Sequence, residues 1–81
     1  MFFVYILRSD SLKRYYVGST QDVTNRIGEH NSGECVSTRS GIPWELIRVE
    51  EFETRAEATK KEKRIKARGI ARYLEDLKNS G

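Results

Sequence analysis

The sequence has 81 residues, 37% hydrophobic, and a net charge of +3. That is enough for one small domain, 1–81, which buries about 60–70% of its unfolded surface and leaves no room for a large internal active-site cavity. The one cysteine, Cys35, excludes an intramolecular disulfide and reads as an incidental thiol, and no apolar run nears the ~20 residues of a membrane helix, so a cytoplasmic protein is expected.

Charge is unevenly placed. Residues 1–59 carry 7 Lys and Arg against 9 Asp and Glu, while residues 60–81 carry 8 against 3. The cluster Lys60, Lys61, Lys63, Arg64 and its neighbours would attract a polyanion by counterion release. An ordinary solvated helix face is the competing explanation.

From the N-terminus, Phe2 to Leu7 is apolar on both parities, which predicts a central strand and not a signal peptide, since no basic region precedes it. The polar stretch Ser9 to Arg14 predicts a hairpin loop, and Tyr15-Tyr16-Val17-Gly18 a second strand. Gly18 suits a close backbone approach or a bend. Ser19 to Asp22 offers caps for a helix with Val23 and Ile27 at i, i+4, and with Arg26 and His30 at the same spacing. The segment before Pro43 reads as a loop of more than ten residues, a length often tied to function.

Trp44 to Phe52 predicts a third strand, with Trp44, Leu46 and Phe52 on one parity, Ile47 and Val49 on the other, and Glu50, Glu51 and Glu53 as a solvated margin. Thr54 can cap a helix beginning near Arg55, with Glu57 completing a capping box. Gly69 can end that helix, and Ile70, Tyr73, Leu74 and Leu77 outline a last one. The order ββαβαα predicts an α+β fold, a small three-stranded antiparallel sheet flanked by helices.

The residue inventory narrows the chemistry. A single His and a single Cys rule out a His/Cys zinc set, and neither a nucleophile elbow nor a glycine-rich phosphate loop is present. The acids are too scattered for a two-metal site. Glu62 is the exception in placement, because it interrupts the apolar stripe of Ala58 and Ile65 and so needs a cation or hydrogen bonds. Magnesium commonly takes one or two protein carboxylates, leaving the rest of its shell to water and substrate phosphate.

The series Phe3-Val4-Tyr5, Tyr16-Val17-Gly18-Ser19-Thr20, Arg26, Glu29-His30-Asn31-Ser32-Gly33, Thr38-Arg39, Pro43-Trp44-Glu45-Leu46 and Glu62 resembles the GIY-YIG nuclease superfamily. It is similar to the small single-domain bacterial branch and to the catalytic domain of the structure-specific nucleases. Phe3 and Val4 depart from the first signature tripeptide, whereas Tyr5 matches it. The resemblance implies hydrolysis of DNA phosphodiester bonds with Mg2+ or Mn2+, and a possible place in DNA repair. It implies Tyr5, Tyr16 and Glu62 as catalytic residues, with Glu62 as the metal ligand. By their chemistry Arg26 would hold the scissile phosphate and His30 would donate a proton or orient water, a satisfied surface histidine being the alternative. Tyr5, Tyr16, Arg26 and Glu62 are expected to converge on one concave surface. Arg26, Arg39, Lys60, Lys61, Lys63 and Arg64 would contact nucleic acid. The alternatives are a non-catalytic nucleic-acid-binding module and a subunit of a repair complex needing a protein partner, which Trp44 or Phe52 would contact if exposed.

Overall fold

The computed structural model describes residues 1–79, so the last two positions of the expected 1–81 domain lie outside the described residues. Strands β1 (Phe2–Ser9), β2 (Arg14–Thr20) and β3 (Trp44–Phe52) alternate with helices α1 (Val23–Ser32), α2 (Arg55–Arg68) and α3 (Ile70–Asn79) in the order ββαβαα. The sheet is antiparallel with order β2-β1-β3. β1 is therefore central, as its apolar residues on both parities predict.

Because side chains alternate across a strand, β1 serves two cores. Val4 and Ile6, with Val17 of β2, meet Ala58 and Ile65 of α2, and Ile70, Tyr73 and Leu74 of α3 pack on the same side. Tyr5 and Leu7 face the other way, toward Trp44, with Tyr16, Val23, Ile27 and Ile42 around them. Complete burial of Ile65 is worth roughly 1.5–3 kcal/mol, so Ile65→Ala would detach α2 more effectively than any surface change.

The helix ends follow local chemistry. The Asp22 side chain accepts from the Asn25 amide to start α1, and Gly33, at φ 85°, ends it in the left-handed region. Thr54 accepts from the Glu57 amide at 3.2 Å, the first half of the predicted capping box, while the Glu57 carboxylate accepts from the Thr54 hydroxyl at 3.0 Å and not from its backbone amide. Gly69 closes α2 through its amide to the Ile65 carbonyl.

Three sequence expectations need correction. The stretch before Pro43 is not a plain loop: Val36–Gly41 forms a 3-10 helix, held by tertiary hydrogen bonds that have no periodic signature. The β3 alternation also fails, because the β1–β3 register shifts between Ile6 and Leu7, which pair with Arg48 and Leu46. Ile47 has no partner in that register, and Leu46, Ile47 and Val49 are all exposed.

The third correction concerns Glu50, which is no solvated margin. Its carboxylate accepts from Tyr73 Oη and from Arg48 Nε at 2.8 Å, with Lys61 Nζ 3.7 Å away. Burial alone would raise its pKa, but the Tyr73 and Arg48 hydrogen bonds and the Lys61 charge outweigh that and hold it below the usual carboxylate value. Trp44 is likewise buried, so it offers no exposed surface to a partner.

Candidate active site

The α1 face of the sheet gathers an unusual polar set. Tyr5 and Gly18 are direct partners across β1 and β2, and the Tyr5 ring lies over the glycine. A Cβ at position 18 would stand 2.6 Å from Tyr5 Oη, 2.8 Å from Tyr5 Cζ and 3.2 Å from Tyr16 Cε1. The glycine is thus needed for close approach of a side chain, the first of the two roles its sequence context suggested.

α1 brings His30 to the same place. Its Nε2 lies 3.0 Å from Tyr5 Oη, and its Nδ1 lies 2.8 Å from Thr38 Oγ1 of the 3-10 helix. Thr38 Oγ1 in turn donates toward the Cys35 carbonyl at 3.4 Å. With that hydroxyl proton committed, the network assigns the His30 proton to Nδ1 and leaves the Nε2 lone pair to accept the Tyr5 hydroxyl. Burial, reinforced by the Arg26 charge, pushes the His30 pKa below its ordinary value, so the ring is neutral near pH 7.

Thr38 is fixed from behind. The Trp44 indole donates to the Thr38 carbonyl at 2.7 Å, and Asn31 joins α1 to the start of β3 by accepting from the Trp44 amide at 2.6 Å and donating to its carbonyl at 3.0 Å. The Tyr16 ring completes the enclosure, 4.9 Å from His30, 6.2 Å from Tyr5 and 6.3 Å from Trp44 between centroids. Thr38, Asn31 and Trp44 lie within the run of motifs that carries the family resemblance, but their residue types alone assigned them no task in this pocket.

Arg26, one turn before His30, borders this pocket. Its Nη1 pairs with Glu29 at 3.2 Å, and the guanidinium and the Tyr5 hydroxyl interact favourably. Burial pushes the Tyr5 pKa up to about 12 although Arg26 opposes the shift. Arg26 is raised in turn, chiefly by Tyr5. Tyr5 is only 1% exposed, so its hydroxyl forms a floor and Arg26 a rim.

Glu62 approaches from elsewhere. Its helix covers the opposite face of the sheet, and its carboxylate, 19% exposed, accepts from Lys66 Nζ at 2.7 Å. Two observations place it near the edge strand β2. Lys66 feels the Tyr16 hydroxyl electrostatically, and a polar cleft of about 340 Å³ opens between the helices, with Ser19, Thr20, Arg26 and Glu29 on one wall and Arg55, Ala58 and Thr59 on the other. Helical spacing sets Glu62 one turn beyond Ala58 on this side of α2. Tyr5, Tyr16, His30 and Arg26 therefore share one pocket, while Glu62 stands on the helix of the opposite face and does not line the cleft, so the one concave surface expected for them is not a single face of the sheet.

The remaining basic residues divide. Arg39 Nε donates to the Gly33 carbonyl at 3.0 Å and braces the end of α1. Lys61 is engaged with Glu50 and lies over the Tyr73 ring at 4.9 Å, whereas Lys60, Lys63 and Arg64 are exposed.

A three-stranded α+β domain with paired phenols, an imidazole and a guanidinium beside a polar cleft has the parts of a phosphodiester-processing site. The family model for the GIY-YIG catalytic domain matches residues 1–73, and the chain belongs to that nuclease family. It is 46% identical over 65 residues to a UPF0213 protein of Listeria welshimeri, covering 79% of this chain and 71% of that one. Over 47 residues it is 38% identical to the structure-specific endonuclease subunit SLX1 of Phaeosphaeria nodorum, which covers 52% of this chain but 13% of that protein. The solution NMR structure of the UPF0213 protein BH0048 from Bacillus halodurans is similar at a TM-score of 0.60 and 30% identity, over 100% of this chain and 87% of that one. Among the described residues no helix is long and apolar enough to cross a membrane.

Proposed function

We propose that this single domain is a divalent-metal-dependent endonuclease that hydrolyses DNA phosphodiester bonds. The observation that supports the reading best is the hydrogen-bond line from Tyr5 through His30 to Thr38. A phenol with a pKa near 12 is a poor base at neutrality unless its own proton has somewhere to go. The neutral imidazole supplies that place. As water attacks phosphorus, Tyr5 Oη accepts a water proton while its original proton moves to His30 Nε2. The leaving oxygen departs with the bonding pair of the cleaved P–O bond and is protonated from solvent. The imidazolium then returns its proton to Tyr5 Oη, which releases the proton taken from water to solvent, restoring the neutral pair.

Arg26 exchanges Glu29 for the scissile phosphate, where its forked donors hold two oxygens and offset the developing charge. Tyr16, half-buried at the opening, orients water or phosphate. Glu62 is the residue that would hold Mg2+ or Mn2+, and the Lys66 ammonium already against its carboxylate indicates that positive charge is accommodated there. A single carboxylate suits an ion whose remaining ligands are water and substrate oxygens. Bound there, the ion would supply positive charge to the phosphate. Lys60, Lys63 and Arg64 give long-range attraction to DNA; Lys61 and Arg39, tied into the fold, contribute less than their charge suggests.

The test is cleavage of labelled single-stranded, duplex, flap and branched DNA with magnesium, manganese or EDTA. The reading expects cutting that EDTA abolishes. Binding of these DNAs without cutting under any divalent ion would favour the binding-module alternative.

A further inference from the structure

The cleft between α1 and α2 does not end at Thr59. Beside it the outer face of α2 carries a shallow, open hollow of about 590 Å³ lined by Arg55, Ala56, Thr59, Lys60 and Lys63, and the two share Arg55 and Thr59. The shared walls make one trough, running from Arg26 across the first two turns of α2. Residues 55, 59 and 63 follow at i, i+4 and i+8, so they form a single stripe along it, about 6 Å apart in axial rise.

The cations of this region fall into two groups. Arg26, Lys61 and Lys66 pair with Glu29, Glu50 and Glu62. Among the described residues Arg55, Lys60 and Lys63 form no ion pair. Arg55 is nevertheless given a direction. Its guanidinium carbon lies 5.3 Å from the centroid of Phe2, a ring anchored at the start of the central strand opposite Phe52. This holds the charge at the junction of the two cavities.

We propose that the trough is a second phosphate site, in which Arg55, Thr59, Lys60 and Lys63 hold backbone phosphates of the nucleic-acid strand beside the phosphate at Arg26. The proposal rests on the nuclease reading and adds a path for the strand. Arg64 lies outside the trough, in a separate cavity with Phe52, Glu57, Lys60 and Lys61. The one aromatic ring in the trough is covered by Arg55, so the contacts are to the backbone and do not select a base.

The test measures binding without depending on cleavage. Affinity for a short fluorescent duplex, and for the corresponding single-stranded DNA and RNA, is followed across a salt series without divalent ions. The variants are Arg55→Gln, Arg55→Gln with Lys63→Gln, and Arg72→Gln on α3 as a control of equal charge, with circular dichroism to verify folding. Each trough substitution should weaken binding several-fold at low salt and reduce the slope of log K against log salt by about 1, while Arg72→Gln leaves the slope within error. The same change on DNA and RNA would support backbone recognition. An unchanged slope for Arg55→Gln, or equal effects of Arg55→Gln and Arg72→Gln, would overturn the proposal. If the wild type cuts nothing yet Arg55→Gln still lowers the slope, the trough stands and the nuclease reading falls.

Discussion

Tyr5 and Gly18 are one structural unit, because the ring occupies the space that any other residue at 18 would fill. Gly18→Ala must displace a buried ring between β1 and β2, so it should cost about 1–3 kcal/mol. Removing the hydroxyl removes the tightest contact, 2.6 Å to the added carbon. The Gly18→Ala penalty should therefore be smaller in a Tyr5→Phe background, a non-additivity that denaturation of the four variants in a double-mutant cycle would measure. Additive costs would show that the ring does not press on this position.

His30 and Tyr5 give stability opposite pH limbs. The folded His30 pKa is depressed below 6.5, so the unfolded chain binds more protons there; stability is complete above about pH 6.5 and is lost as pH falls through the lower folded value. The folded Tyr5 pKa is raised from 10.0 to about 12; its stabilisation is complete below pH 10 and lost as pH rises toward 12. Denaturant midpoints should fall on both sides of that plateau. His30→Gln should flatten the limb between pH 7 and 5, since the depressed carboxylate Glu50 starts from 4.5 and acts at lower pH. An unchanged acid limb would place its origin elsewhere.

At the scale of elements, Glu50 joins β3 to α2 and α3 through Arg48, Lys61 and Tyr73. With its side chain 17% exposed, Glu50→Ala should cost about 1 kcal/mol, chiefly by leaving the half-buried Tyr73 hydroxyl without its acceptor, since water can still reach Arg48 and Lys61. Amide exchange should quicken in α3 first. The exposed Arg68–Asp76 pair, at 2.8 and 3.0 Å, should matter far less, because water already solvates both groups.

The elements were legible where local signals were strong: the double-parity β1, the Thr54 cap, Gly69, and the periodic apolar residues of α3. The Glu50 clamp was not, since a Glu near a strand end reads as solvated until the helix above it is placed. Nor was the 3-10 helix, whose hydrogen bonds from His30 and Trp44 come from the flanking α1 and β3, whose placement the local sequence does not give. In the pocket, Tyr5, Tyr16, Arg26 and His30 stood out through spacing and family resemblance, whereas Thr38 and Asn31 act through tertiary partners that no period announces. The bulge at Ile47 broke the alternation on which the β3 faces were assigned.

Across the whole molecule, two helices on opposite faces of a three-stranded sheet line one cleft at the end of β2, where Ser19 and Thr20 stand between them. The tyrosine pocket lies under α1 and Glu62 on α2, so a phosphate lodged between them would be the piece that joins the two halves. Metal affinity should accordingly be weak for the free protein and rise when nucleic acid is present, and Glu62→Gln should abolish that rise. Manganese titrations with and without an uncleavable phosphorothioate DNA would show it. Tight binding to the free protein, unaffected by Glu62→Gln, would put the metal elsewhere.

The most direct test of the central claim is single-turnover DNA cleavage by wild type and Tyr5→Phe at saturating protein, with magnesium and with binding measured in parallel. If the hydroxyl passes its proton to His30 as water attacks, Tyr5→Phe should lose at least about 100-fold in rate, the usual scale of general-base assistance, while DNA affinity stays within about twofold. Cleavage by a folded Tyr5→Phe protein at the wild-type rate would contradict it.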